Sequence, residues 1–340
     1  MIKYLLPKGG NFYKANLHCH TTVSDGRLTP AEVKDAYKAH GYSVIAYTDH
    51  DIMIPHDDLN DDGFLALHGY EMEVNEPDVT HKHRKTCHMC LIALDPENLQ
   101  QVCWHRSKYL PGHSEEHRAE AHFDPNLPDF ERFYTPECIS SMMTAGRENG
   151  FFVTYNHPVW SMENRNNYEH YYGMHAMEIC NYDCYRAYPE YNAYIYDEML
   201  RMNKRIFCIG ADDNHNRDSF DNPKCDSFGA FTVIKAEKLE YKAITDALVA
   251  GNFYASMAPE IKELYLDGDK LHVETSCCEK IIMSTGTRKI RFEMRQKGKR
   301  LNKATFTVEP DDVYVRITVV DKDGKYANTN AYFTDELFEN

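Results

Sequence analysis

Several short segments of this chain place histidines and carboxylates at spacings that suit metal chemistry. Residues 16–26, NLHCHTTVSDG, set His18 and His20 one residue apart, with Asp25 five positions after His20 and Gly26 directly behind it. TDH at 48–50 supplies Asp49 and His50, GYE at 69–71 supplies Glu71, NHP at 156–158 supplies His157, and DNH at 213–215 supplies Asp213 and His215. Any one of these could be an ordinary loop or strand end. Their shared placement, each closing or following an apolar run, is the stronger signal. In a parallel barrel the carboxyl ends of the strands face one rim, so His18, His20, Asp49, His50, Glu71, His157, Asp213 and His215 would converge there. Imidazole mixed with carboxylate suits Zn, Mn or Fe better than Mg, which favours oxygen ligands and water. The donor set exceeds what one ion can use and predicts a cluster of two or three divalent ions bridged by a carboxylate. Such a cluster lowers the pKa of a bound water, holds two substrate oxygens and stabilises charge on a leaving group.

The elements that must position these residues alternate between apolar runs and helical segments up to about residue 256, the pattern of a β/α domain. Thr29-Pro30-Ala31-Glu32 reads as a capping box that opens a helix closed by Gly41. Strand-like runs follow at YSVIAYTDHD, 64–74, 88–94, 151–158, 176–181, 205–215 and 228–234, with helices over 136–149, 189–204 and 237–250. Serial β/α units suggest a closed or nearly closed barrel, with an open doubly wound sheet as the other arrangement. Past Pro259 the texture changes to short alternating segments punctuated by LDGDK, STGTRK, QKGKR and DKDGK, which predicts a small antiparallel sandwich. The expected division is a barrel over residues 1–258 and a β-sandwich-like domain over 259–340. Residues 99–134 have no period and read as an insertion in the first domain.

Composition narrows the function classes. With 38 Lys and Arg against 53 Asp and Glu, the net charge of −15 argues against general affinity for DNA or an anionic membrane. No stretch approaches the ~20 apolar residues that span a bilayer, and a soluble, cytoplasmic protein is expected. Eleven scattered cysteines fit reduced thiols. Cys87-x-x-Cys90 has no partner pair at zinc-ribbon spacing and reads as two strand residues.

The ordered set His18-x-His20 with Ser24-Asp25-Gly26, Thr48-Asp49-His50, Gly69-x-Glu71, Asn156-His157-Pro158 and Asp213-x-His215 resembles the polymerase and histidinol phosphatase (PHP) superfamily of metal-dependent phosphoesterases over residues 12–256. The resemblance implies a distorted (β/α)7 barrel. Its implied ligands are His18, His20, Asp25, His50, Glu71, His88, His157, Asp213 and His215, with up to three divalent ions. Glu71 and Asp213 are the candidate bridging groups around a nucleophilic hydroxide, and Asp49 is expected to orient a histidine. Asp25 is expected on one ion with His50 and His215, while His18 and His20 hold its neighbour. His88 is preferred to His81 and His83 on the family pattern, and its position fits if residues 88–94 run antiparallel to YEMEV. Asp212 is expected only to cap or solvate a strand end.

The reading that follows is a hydrolase of a small phosphomonoester or phosphodiester, such as a nucleotide or sugar phosphate, with oligonucleotide ends as a further substrate. Arg106, Lys108 and Arg118 in the insertion are candidate phosphate contacts, Trp160 a candidate stacking surface for the leaving group, and Arg186 and Arg217 weaker phosphate-binding candidates. His113 and His117 read as a surface pair. Two alternatives remain open from sequence: a carbamate or carboxylic ester hydrolase using the same ions, and a metal-stabilised binding module without turnover.

Overall fold

The structure, a computed structural model, describes residues 2–187 and 190–338. Strand β1 (Ile2–Tyr4) precedes an arc of seven strands: β2 (Asn11–Asn16), β3 (Val44–Tyr47), β4 (Leu65–Asn75), β5 (Thr86–Ala93), β6 (Phe151–Tyr155), β7 (Ala176–Asn181) and β8 (Phe207–Ala211). Helix α1 (Pro30–Ala39) joins β2 to β3. Thr29 caps it as the spacing predicts, with Thr29 and Glu32 satisfying each other's backbone donors, and Gly41 ends it at φ 78°. Helix α2 (Pro136–Glu148) leads into β6 with Thr135 as N-cap and Gly150 at φ 81° behind it. Short helices α3 (Arg165–Tyr168) and α4 (Tyr182–Ala187) and the longer α5 (Ala193–Arg201) fill the remaining connections. The helix expected over 189–204 begins on a residue outside the described set, and its observed part is α5.

Strict β/α alternation does not hold. Pairing is parallel along β2–β3–β4, antiparallel through β5, and parallel again along β6–β7–β8. The cause is local: β4 and β5 are joined by ten residues that carry only a short 3-10 turn at His81–His83, too little for a crossover helix, so β5 must turn back on β4. The arc is not closed by a ladder among the described residues. Its ends meet at one rim through a parallel bridge between Cys19 and Asn214, with His20 N–H donating to Asn214 O at 3.1 Å and Asp213 N–H to His18 O at 3.0 Å.

Strand β9 (Phe231–Ala236) pairs with β2, and after α6 (Tyr241–Val249) strand β10 (Phe253–Ser256) pairs with β9. Beyond residue 258 come β11 (Ile261–Asp267), β12 (Lys270–Thr275), β13 (Lys280–Thr285), β14 (Arg291–Met294), β15 (Lys303–Thr307), β16 (Tyr314–Val320), β17 (Tyr326–Thr329), β18 (Tyr332–Phe333) and the short α7 (Thr334–Leu337). One sheet has the order β1-β11-β12-β15, and the other, β14-β13-β16-β17, continues through β10 and β9 into the arc. Buried residues alternate along β12 and β13, so Leu271, Val273, Ile281 and Met283 meet Leu264, Phe306, Ile317 and Val319 in one apolar core. Burying each such side chain is worth roughly 1.5–3 kcal/mol. The arc has its own cores, one around Leu17, Leu67, Phe152, Ile209 and Phe253, another where Met142, Met143 and Met199 pack on Tyr155 and Met177.

Candidate metal centre

Glu71 is the hub of the rim. It sits on β4, with its N–H donating to Asp49 O at 3.2 Å and its O accepting from Asp51 N–H at 2.7 Å, so the TDH segment and the strand fix each other. Its carboxylate lies 3.1 Å from His18 Nε2, 3.4 Å from His20 Nε2, 3.2 Å from His50 Nδ1, 3.2 Å from His88 Nδ1 and 3.4 Å from His157 Nε2. Asp213 is the second hub, 3.2 Å from His18 Nε2, 3.0 Å from His20 Nε2 and 3.7 Å from His157 Nε2. Asp25 faces His215 Nε2 at 3.3 Å and both His20 Nδ1 and His50 Nε2 at 3.8 Å. His88 arrives as the hairpin requires, because the antiparallel register sets it opposite Glu73 and two residues from the partner of Glu71.

These separations suit atoms that could share an ion. Two nitrogens each ~2.0–2.1 Å from a tetrahedral metal stand about 3.3 Å apart, and His18 Nε2 and His20 Nε2 are 3.1 Å apart. Ligand atoms of His20, Asp25, His50 and His215 fall within 4.8 Å of one another, as do those of His18, His20 and Asp213, and those of His50, Glu71 and His88. His20 lies within reach of both Asp25 and His18, so the two groups overlap at this residue. The donor set also passes a test of fit. Asp25 Oδ1, His50 Nδ1 and His88 Nδ1 are buried without a hydrogen-bond partner, and buried polar atoms are normally satisfied.

Several imidazoles have one nitrogen tied to the protein and the other turned to the cluster. His18 Nδ1 lies 2.7 Å from Glu178 Oε1, His157 Nδ1 3.2 Å from Ser161 Oγ, and His215 Nδ1 3.0 Å from the carbonyl oxygen of Asp213. Such contacts fix ring orientation and tautomer. Asn156 donates to Glu71 at 2.9 Å and Asn181 to Asp213 at 3.0 Å, aiming the two hub carboxylates. His157 and Asp213 hold φ of 25° and 55°, left-handed backbone at the rim itself, where strain is commonly stored at functional sites. Burial opposes charge on His18 and His20, yet neighbouring Asp213 and Glu71 raise both well above the ordinary imidazole value. Glu71 is held well below the carboxylate range, since its histidines outweigh the cost of burial. His50, buried and beside His20, drops to about 4.

The cluster opens on a cavity of about 330 Å³ lined also by Glu73, His81, Trp160, Asp183, Cys184 and Arg217. Arg217 donates to Asp25 Oδ2 at 3.0 Å. Trp160 meets His88 and His157 edge to face, with centroids 5.5 and 5.0 Å away.

Other expected site residues stand elsewhere. Asp49 does not reach the cluster, because its carboxylate is engaged by four donors, the N–H and hydroxyl of both Thr21 and Ser24, and its role is to hold the turn that carries Asp25. Arg106 is spent on Asp129 and on the carbonyl oxygens of Pro125 and Leu127, Lys108 on Glu131, and Arg118 on Glu115. None of the three lines the cavity. Arg186 likewise turns to Asp183, three residues before it. His113 and His117 pair with Glu116 and Glu120 on the surface. Asp212 accepts from three backbone N–H groups, Phe228 to Ala230, and from the Tyr37 hydroxyl, a strand-end role as expected.

Sequence reasoning missed two buried residues. Glu178, in AMEICN, accepts from His157 N–H and Asn181 besides contacting His18; an acid inside an apolar strand was the available signal. Arg132 ends the insertion, reaches Asp51 at 2.6 Å and donates to Glu73 O at 2.9 Å, with both side chains of the ion pair buried. The cysteines are all free, and Cys87 and Cys90 are buried residues of β5. No helix among the described residues is long and apolar enough to cross a membrane.

No protein-family model and no curated protein matches the chain. Among solved structures it is similar to a two-domain protein from Bacteroides vulgatus containing a predicted PHP-like metal-dependent phosphoesterase, at 14% identity over 97% of each chain with a TM-score of 0.47. It is also similar to a candidate metal-dependent phosphoesterase from Bifidobacterium adolescentis, at 17% identity, 64% of this chain, 91% of that one and a TM-score of 0.39. An amidohydrolase from Chromobacterium violaceum, with bound sulfate and no metal, matches at 16% identity, 59% of this chain, 87% of that one and a TM-score of 0.36. At these values the likeness assigns neither substrate nor site.

Proposed function

We propose that the chain is a PHP-type metal-dependent hydrolase of a small phosphomonoester or phosphodiester, such as a nucleotide or sugar phosphate. The observation that carries this reading is Glu71, one buried carboxylate within 3.4 Å of five imidazoles. Neutral structural roles do not call for such a hub, whereas two or three ions of Mn, Zn or Fe type do. His18, His20, Asp25, His50, Glu71, His88, His157, Asp213 and His215 would hold them, with Glu71 and Asp213 each placed to serve two ions. Ions bound there would acidify a water and offset charge on phosphoryl oxygens.

The chain's own contribution is orientation. Glu178, Ser161 and the Asp213 carbonyl group keep the free nitrogens of His18, His157 and His215 turned inward. Asn156 and Asn181 aim the hub carboxylates. Preset donors of this kind cost no reorganisation during reaction. Arg217 and Trp160 flank the opening, where a phosphoryl oxygen and a leaving group would lie. Protein loaded with Mn or Zn is expected to cleave 4-nitrophenyl phosphate or bis(4-nitrophenyl) phosphate. Background turnover of both, beside cleavage of aryl carbamates, would overturn the phosphoester reading.

A further inference from the structure

The metal-site cavity does not end at the cluster. A second cavity of about 250 Å³ shares Glu73, His81, His88 and Trp160 with it and runs on past Lys82, Arg84 and Met162. Its floor is the hairpin of β4 and β5, whose connection carries His81, Lys82 and Arg84 on the side of the cluster. Neither Lys82 nor Arg84 makes an ion pair with a carboxylate among the described residues. In a chain of net charge −15, two unspent cations beside a metal site mark local attraction for a second negative group.

The wall that carries Trp160 is held by backbone hydrogen bonds. Val159 and Trp160 donate their N–H groups to Glu190 at 3.1 and 2.9 Å, and Ser161 N–H donates to His157 O at 3.1 Å. Farther on, the hydroxyls of Tyr134, Tyr155 and Tyr171 converge on the Glu163 carboxylate. Held at both ends, this loop leaves Trp160 45% and Met162 41% exposed, with Met162 in left-handed backbone at φ 56°. An indole that lines both cavities, one holding the cluster and the other the two cations, is a surface for a planar or apolar group.

We propose that the substrate is a small molecule with two anionic groups, one hydrolysed at the cluster and the other bound by Lys82 and Arg84, with a planar part between them lying on Trp160. This rests on the phosphoester reading and adds to it a second subsite. Two joined cavities of about 330 and 250 Å³ fit one compact ligand within the usual range for small-molecule sites. The acidic chain is a poor surface for a long polyanion.

Phenyl phosphate and hydroquinone bisphosphate, one and two phosphates on the same ring, separate the two ideas when offered to the Mn-loaded full chain. The expected kcat/KM is at least about tenfold higher for the bisphosphate, the size of one charge-assisted contact. R84A and the double variant K82A/R84A should bring that ratio toward one, and R84K, which keeps the charge, should retain most of it. W160A should raise KM for both compounds. A ratio near one in the wild type, or a ratio that survives K82A/R84A, would overturn the second subsite while leaving hydrolysis of phenyl phosphate as support for the phosphoester reading. No turnover of either compound by metal-loaded protein would sink both. Cleavage confined to short oligonucleotides would replace the small-molecule ligand by a nucleic-acid end.

Discussion

The rim and the insertion are both dense in histidine and charge, yet they use them in opposite ways. In the insertion Arg106, Lys108, Arg118, His113 and His117 each find an acid of the same segment. At the rim, Asp25 Oδ1, His50 Nδ1 and His88 Nδ1 are buried without a hydrogen-bond partner, and carboxylates meet several imidazoles at once. These charges of the insertion are already neutralised within it. Those of the rim are gathered at distances that suit a shared ion, with atoms left over. The buried Arg132–Asp51 pair ties the two regions together, assisted by Ser114 Oγ donating to His50 O at 2.6 Å.

Substitutions can break this contrast in graded steps. Glu71→Ala removes the hub and is expected to lower kcat/KM on the order of a thousandfold or more, as loss of a central catalytic group does. Elemental analysis should show fewer ions per chain; a full metal complement would contradict the hub role. Arg132→Ala strands Asp51 in the interior and should destabilise the fold by about 3–5 kcal/mol, read by denaturant unfolding. A change within about 0.5 kcal/mol, the range of an ordinary surface substitution, would mean that the insertion is not anchored there. Glu178→Gln keeps the shape but weakens the hold on His18, and metal affinity measured by chelator competition should fall about 10–100-fold. Unchanged affinity would reduce Glu178 to packing. Lys108→Ala breaks only an exposed pair, so stability should move by less than about 1 kcal/mol and activity should stay level; a large loss of activity would return the insertion to the site.

Most of the cluster was legible because each motif follows or closes an apolar run, which places it at a strand end. His88 was legible only through the family pattern and the hairpin, because it begins its run. What sequence could not supply was partnership. Lys108 and Arg106 look free in the chain, but their acids Glu131 and Asp129 lie 23 residues away and meet them only after folding. Arg118 was different, since Glu115 stands three residues before it and the i,i+3 pairing could have been read. Strict β/α alternation breaks at β5, where a short connection forces the reversal that placing His88 beside Glu71 already required. The sheet that runs unbroken from the arc through β10 into β17 also escaped, because pairing between distant strands leaves no local mark.

The rim is proposed to bind a cluster of ions rather than to serve as a buried polar core. Anomalous diffraction from crystals grown with Mn, Zn or Fe tests it most directly. At least two peaks are predicted, lying among Glu71, Asp213 and Asp25 and within bonding distance of His18, His20, His50 and His215. A map with no peak there, from crystals in which the same ion is visible elsewhere, would show that the rim is a buried polar core.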